Sequence, residues 1–322
     1  MLNKNAQIVQ FTHPGIEHGP DQKGKDLKSW NTGGHRRKFM RAKGNYVASN
    51  GKLITGKEQL FWGEWEPPSK VAALPESPDA LQPRWLHIPY LPAEIPSQAK
   101  SSGSCSPPSL KSHNSCTPSC GSDGQGLQNT DPFVFGACFK YFVCKQWSHK
   151  TGRSTGLATL EKGSVILFGS TIGKTSRDAF FQLDTVFVIG GYVEYSPSNP
   201  ASLPNHPLIS SDYRKASFHM AFPSKKSDIP PDLKLRLYFG ATFSDPYNGM
   251  YSFAPARVAG KTAEGFPRVP LRNLPYLTNN LNSAPKYTKT NPSEMLTIWK
   301  EIRETSRKHG CVEGVQFDYE NP

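Results

Sequence analysis

Two apolar runs joined by a polar loop limit what this chain can fold into more than any other stretch. A tight turn at Glu161-Lys162-Gly163-Ser164 leads into Val165-Ile166-Leu167-Phe168-Gly169-Ser170, and a loop carrying Lys174 and Arg177 follows. Phe181-Gln182-Leu183-Asp184-Thr185-Val186-Phe187-Val188-Ile189 then returns to Gly190-Gly191. Runs rich in β-branched and aromatic residues, bounded by glycine, read as buried antiparallel strands. Asp184 interrupts the second run. A buried carboxylate needs a partner, so Asp184 either meets a Lys or Arg of the amino-terminal half or faces a site.

The rest of the chain fits the same class. With 29 prolines and 27 glycines in 322 residues, long helices are scarce, and the expectation is an α+β protein, mainly β. Gln7–Thr12 reads as a first strand. Asn45–Ile54 reads as a hairpin turning at Asn50-Gly51, the favoured two-residue turn. Arg84–Ile88, Phe133–Val143 and Phe218–Phe222 read as further strands, and Leu233–Phe239 alternates to give one apolar and one basic face. Asn291-Pro292-Ser293-Glu294 has the cap, first-position proline and third-position acid of a helix start. Met295, Ile298, Trp299 and Ile302 follow at helical spacing, and Gly310 ends the run. Residues 96–128 are rich in Ser, Pro and Gly and poor in apolar side chains, so they read as a disordered insertion. Segments 1–95 and 129–322 then form one β-rich domain or two packed β-rich halves.

Three stretches carry candidate chemistry. In Leu60-Phe61-Trp62-Gly63-Glu64-Trp65-Glu66-Pro67-Pro68, two carboxylates alternate with two indoles at a strand end. Trp62 and Trp65 could wall a pocket that Glu64 and Glu66 give direction, or the stretch is a structural strand end. His13, Glu17, His18 and Asp21 hang from an irregular Pro/Gly loop directly after a strand. They suit a divalent metal, acid–base work, or a loop held by its own hydrogen bonds. His35-Arg36-Arg37-Lys38-Phe39-Met40-Arg41-Ala42-Lys43 is the densest positive run. Guanidinium forks suit phosphates and interleaved aromatics suit bases, although most charge runs are solvated faces. Cys105, Cys116 and Cys120 with His113 have spacings that fit no strong zinc pattern, and read as loop thiols.

The formal net charge of +12 points to polyanionic partners such as DNA, RNA or a phosphorylated nucleotide. No apolar run approaches the roughly twenty residues of a membrane span, and no signal-peptide core follows Met1, so the expected location is the cytoplasm. Six cysteines do not make a disulfide scaffold there.

Gly56–Trp65 and Glu161–Ser170 with its return strand share a layout of turn, apolar strand ending in an aromatic, polar loop and returning strand. That layout resembles the PUA-like barrels, including the EVE and ASCH groups. The resemblance implies a compact β-barrel that recognises RNA or a modified base in an aromatic-walled pocket, although the ASCH-type Gly-Lys-Glu-Arg pattern is absent. The combination of His-Pro-Gly, His-Arg-Arg-Lys-Phe, Phe-Trp-Gly-Glu-Trp-Glu-Pro-Pro-Ser and Asn-Thr-Asp-Pro resembles an uncharacterised bacterial family linked to nucleotide modification or phage defence. The leading expectation is therefore a binding module for nucleic acid or a modified nucleotide. In it His35, Arg36, Arg37, Lys38 and Arg41 hold phosphate, Trp62 and Trp65 stack on a base, and Glu64, Glu66 and Asp184 accept its N–H groups. The alternative is a metal-dependent hydrolase or nuclease using His13, Glu17, His18 and Asp21. A scaffold meeting an acidic protein partner is a third.

Overall fold

The computed structural model describes residues 6–13, 15–19, 36–77, 79–93, 129–148, 150–222, 229–260, 264–272, 274–278 and 284–320. The 96–128 stretch, with its three cysteines and His113, lies outside them, as do Asp21 and His35.

In the first half of the chain the strands are β1 (Gln7–Thr12), β2 (Lys38–Val47), β3 (Leu53–Gly63), β4 (Ser69–Ala73), β5 (Trp85–Pro89), β6 (Lys140–Tyr141), β7 (Trp147–Ser148) and β8 (Arg153–Ser154). The long pair β9 (Val165–Ile172) and β10 (Phe180–Tyr195) follows. After α1 (Ser211–Tyr213) and α2 (His219–Ala221) come β11 (Leu235–Gly240), β12 (Ala254–Val258), β13 (Val269–Leu271) and β14 (Lys286–Lys289), then α3 (Pro292–Lys308) and β15 (Val312–Asp318). One sheet runs β14-β1-β9-β10-β11-β6, with β13 also on β10; the other runs β15-β12-β3-β2-β5-β4. Both sheets take strands from each side of the 96–128 stretch. The fold is mixed α+β, mainly β-sheet, with a helix near the carboxyl end. In the second sheet β15 pairs with β12 and also with β2, so β2, β3, β12 and β15 close a four-strand cycle.

The antiparallel β9–β10 pair matches the sequence reading, with one informative irregularity. Leu183 faces Gly169 and Thr185 faces Phe168, so Asp184 is the extra residue of a bulge. A bulge breaks the strict alternation of a strand and re-aims one side chain. That is how a carboxylate sits within an apolar strand without entering its apolar packing. The same bulge brings backbones together: a Cβ on Gly169 would lie 2.0 Å from the Gln182 carbonyl oxygen. Only glycine fits there.

The helix α3 begins as its sequence dictates. The Asn291 side chain accepts the Glu294 N–H at 2.9 Å, Pro292 opens the first turn, and Met295, Ile298, Trp299 and Ile302 are buried. Trp299 donates its indole N–H to the Tyr251 carbonyl at 3.0 Å. Asn291→Ala removes the cap and is expected to lower stability by about 1 kcal/mol. Urea unfolding of the two proteins in parallel measures the difference.

Three expectations change. Phe218–Phe222 is not a strand: Ser210 caps a helical segment by accepting the Tyr213 N–H at 3.1 Å, and a π-helical turn spans Arg214–Phe218. Helical spacing brings Tyr213, Phe218 and Phe222 onto Phe142, a periodicity that a five-residue apolar window cannot reveal. The expected strand over Phe133–Val143 shrinks to β6 and a Phe133–Lys140 bridge. The hairpin turn is also longer than two residues. Ala48 N–H donates to Lys52 across Ser49-Asn50-Gly51, with Gly51 at φ +80°, the three-residue loop that ends in a left-handed residue. On β11 the basic face is partly covered, since the Arg236 guanidinium lies 3.9 Å from the Tyr192 ring centroid and Tyr238 is buried.

Candidate functional site: a buried ionic cluster at the strand ends

Where β1 and β3 end, where β2 begins and where β10 bulges, charged side chains meet between the two sheets. His13, Arg37, Lys38, Glu64, Glu66, Asp184 and Arg268 are all buried, none more than 6 % exposed. Four separate stretches of sequence supply the first six, and Arg268 arrives just before β13.

Arg37 is the hub. Its Nη1 lies 3.1 Å from Glu64 Oε2 and its Nε 3.2 Å from Asp184 Oδ2, while Nη2 bonds to His13 Nδ1. Asp184 also faces Arg268, whose Nη1 is 3.5 Å from Oδ1. Arg268 donates further to Ser170 Oγ at 2.6 Å and to the Gly15 carbonyl at 2.9 Å. Burial pushes the Asp184 carboxyl up from its ordinary value, and the Arg268 and Arg37 guanidiniums pull it back. Lys38 donates its ammonium to the Trp65 carbonyl. Burial lowers its pKa against the raising fields of Glu66 and Glu64.

His13 is placed by its own N–H, which donates to the Gly169 carbonyl at 2.7 Å, continuing the parallel β1–β9 register. Its Nδ1 lies 3.0 Å from Glu64 Oε2 as well as against Arg37. A proton on Nδ1 serves Glu64 and a lone pair there serves Arg37, so the two arrangements are alternatives. Burial, with Arg37 nearby, pushes the imidazole down to about 3 and keeps it neutral. Neighbouring groups extend the cluster. Asp131 accepts backbone N–H groups of Phe142, Val143 and Cys144 at 2.8–3.0 Å; burial raises it to about 7 against those bonds. Lys145 reaches the Thr12 carbonyl at 2.7 Å. The Thr130 hydroxyl accepts the Glu66 N–H at 3.0 Å.

The remaining expected site residues divide. Trp62 and Trp65 are enclosed, their indole N–H groups donating to Phe266 and Pro68 carbonyls at 2.7 and 2.9 Å. Neither offers a ring face for stacking on a base, because Trp65 packs into one apolar core and Trp62 into the other. Arg37 and Lys38 are likewise buried rather than a phosphate-gripping surface. Arg36 is exposed, and Arg41 is half-buried and bonded to Glu58 at 2.8 Å. Glu17 and His18 lie on a segment paired through its backbone to Arg37, with the His18 N–H donating to the Arg37 carbonyl at 2.7 Å. The Glu17 carboxylate accepts the Arg84 and Trp85 N–H groups at 2.9 and 3.0 Å, and His18 Nδ1 meets the Gly19 carbonyl at 2.5 Å. Among the described residues no three His, Cys, Asp or Glu side chains converge as a metal-binding group. Sequence reasoning passed over Arg268, Lys145 and His87. Arg268 follows Phe266-Pro267 with nothing beside it that marks a site.

His87 is buried on β5 and pushed down to about 3 by burial and Lys38; its Nε2 lies 3.0 Å from the His18 carbonyl. Two neutral buried histidines set a pH dependence. Their folded pKa values lie below the ordinary 6.5, so between pH 6.5 and about 3 the unfolded chain binds protons that the native one refuses. Stability contributed this way is full above 6.5 and falls with pH by up to about 1.4 kcal/mol per unit for each ring. Asp131, Asp184 and Glu17, all raised, act in the opposite sense. His87→Gln should therefore flatten the fall in melting temperature between pH 6.5 and 4 relative to the unaltered protein, in parallel thermal scans.

Compared with protein-family models, with curated proteins and with solved structures, the chain finds no match. Among the described residues no helix is long and apolar enough to cross a membrane. The fold and the cluster are thus the ground for a functional reading.

Proposed function

We propose that the chain is a binding module for nucleic acid or a modified nucleotide, and that the strand-end cluster is its recognition floor. One observation carries this: the Arg37–Glu64–Asp184–Arg268 network, built from both sheets and excluded from solvent. Burying paired charges gives little stability over apolar packing of the same volume. Dense perturbed ionisable groups at strand ends gather instead where ligands are handled. Because the network is closed to solvent, partner exchange requires the strand-end segments above it to part and admit the ligand. A phosphate can replace a carboxylate on the Arg37 or Arg268 fork, and the freed Glu64 or Asp184 can accept N–H groups of a base. Exposed cations such as Arg36 and Lys43 then supply the outer, salt-sensitive contacts. The PUA-like resemblance supports the reading through the closed β2-β3-β12-β15 cycle, without the aromatic stacking first expected of Trp62 and Trp65.

A second reading is favoured by one feature, the neutral His13 whose Nδ1 is shared between Glu64 and Arg37. Such a group can move a proton to or from a ligand held on Arg37, which makes the same floor a nucleotide-processing site.

Titration of the protein with labelled single- and double-stranded DNA and RNA at two salt concentrations tests the binding reading. The expected result is binding that weakens steeply with salt, and a smaller salt slope in Arg36→Ala. Absence of binding to all four polymers at low salt would remove it.

A further inference from the structure

At the opposite end of β10 from Asp184, a second bulge falls between Ile189 and Gly191. The two bulge residues, Asp184 and Gly190, are six positions apart, about 20 Å at the usual rise per residue, so what lies there is separate from the ionic cluster. A cleft of about 770 Å³ opens beside the bulge, within the size range of small-molecule sites.

Its wall and floor are unlike an ordinary surface dent. His206 lies flat on Phe239, ring centroids 4.5 Å apart and 17° from parallel. Phe239 is buried and His206 half-buried, and both rings belong to the lining of the cleft. His206 Nδ1 accepts the Leu208 N–H at 3.2 Å, which places the ring proton of the neutral form on Nε2 as a fixed donor. The floor is bare backbone: a Cβ on Gly191 would meet nothing within 4 Å. Lys162, Thr242, Ser244 and Asp245 supply the cleft's polar lining. The Thr242–Asp245 turn is held by Asp245 N–H to Thr242 Oγ1 at 3.0 Å.

We propose that this cleft binds a planar nitrogen heterocycle carrying an anionic group, of the size of a nucleoside monophosphate. The ring stacks on His206 over the Gly191 backbone, Lys162 meets the anionic group, and Asp245 accepts hydroxyl or amine protons between them. A flat ring matches the imidazole face and uncovered peptide floor better than a branched apolar ligand. A lysine and an aspartate in one lining suit a ligand with both an anionic and a donor edge. The inference does not rest on the strand-end cluster.

Calorimetric titration with adenosine 5′-monophosphate, adenosine and ribose 5-phosphate tests it, on the full chain and on two variants. Gly191 lines the cleft and an added Cβ there meets nothing within 4 Å, so Gly191→Leu is the variant chosen to crowd the cleft; an unchanged melting temperature verifies that the fold is kept. The expected result is binding of the monophosphate, about tenfold weaker binding of adenosine or by Lys162→Ala, no binding of ribose 5-phosphate, and loss of binding in Gly191→Leu. Failure of the monophosphate to bind the unaltered protein, or equal binding by a folded Gly191→Leu protein, overturns the proposal. Polymer binding measured on Gly191→Leu is expected to be unchanged, which separates this site from the strand-end floor.

Discussion

Replacing Arg37 with Met is expected to destabilise the protein by roughly 3–5 kcal/mol, the usual cost of removing one partner from a buried charge network. Glu64 loses a guanidinium at 3.1 Å and Asp184 loses one at 3.2 Å, in a place where neither can turn to water. Arg268, 3.5 Å from Asp184, compensates one carboxylate only in part. Lys at the same position should rescue little, since a single ammonium cannot span both carboxylates and His13 as a planar fork does. Equilibrium urea unfolding gives the difference, and a loss below about 1 kcal/mol for Arg37→Met would mean that the network is loosely paired or hydrated.

A comparable loss is expected from Glu313→Ala, far from the proposed site. Glu313 is fully buried on β15 and takes Arg303 Nε at 3.0 Å, Arg307 Nε at 2.9 Å and Arg307 Nη2 at 2.8 Å, with the Tyr251 hydroxyl also donating. It clamps the last turns of α3 to the sheet, and Arg303 stacks 4.5 Å over Trp299 from the same clamp. Without the carboxylate, two half-buried guanidiniums and a phenol lose their acceptor, for a cost of roughly 3–5 kcal/mol. Hydrogen exchange should localise the effect, with amides of α3 losing protection before those of β9 and β10. Polymer binding should persist in this variant, in contrast to Arg37→Met.

The contrast between these two acids shows what the sequence can express. Asp184 announced itself by breaking an apolar run, and the paired cation foreseen from the amino-terminal half is Arg37. What the run could not express was the bulge that turns Asp184 aside, because it depends on register against Gly169. Glu64 and Glu66 were legible as unusual, and so was the His13 loop, but their meeting depends on β1 lying parallel to β9 and on the two sheets facing each other. The long apolar pair and the capped helix α3 were readable because periodicity and capping are local. Phe218–Phe222 was misread as a strand because its apolar residues are too few to separate period 2 from period 3.6. For Trp62 and Trp65 the sequence left a pocket wall and a structural strand end both open, since an aromatic-acidic alternation looks the same whether its rings line a pocket or enter two cores; both rings are buried. Arg268 had no local signature at all, since only the long-range β10–β13 pairing brings it to Asp184.

The most direct test of the binding reading removes the charges while preserving the packing. A protein carrying Arg37→Met, Glu64→Leu, Asp184→Leu and Arg268→Met together replaces the network by apolar side chains, a change that buried ion clusters often tolerate or gain from. Its melting temperature and circular dichroism are read beside its binding to labelled DNA and RNA at low salt. The account predicts a folded protein, at least as stable as Arg37→Met alone, that no longer binds. A folded quadruple variant that binds nucleic acid as the unaltered protein does would contradict it and make the cluster an element of structure alone.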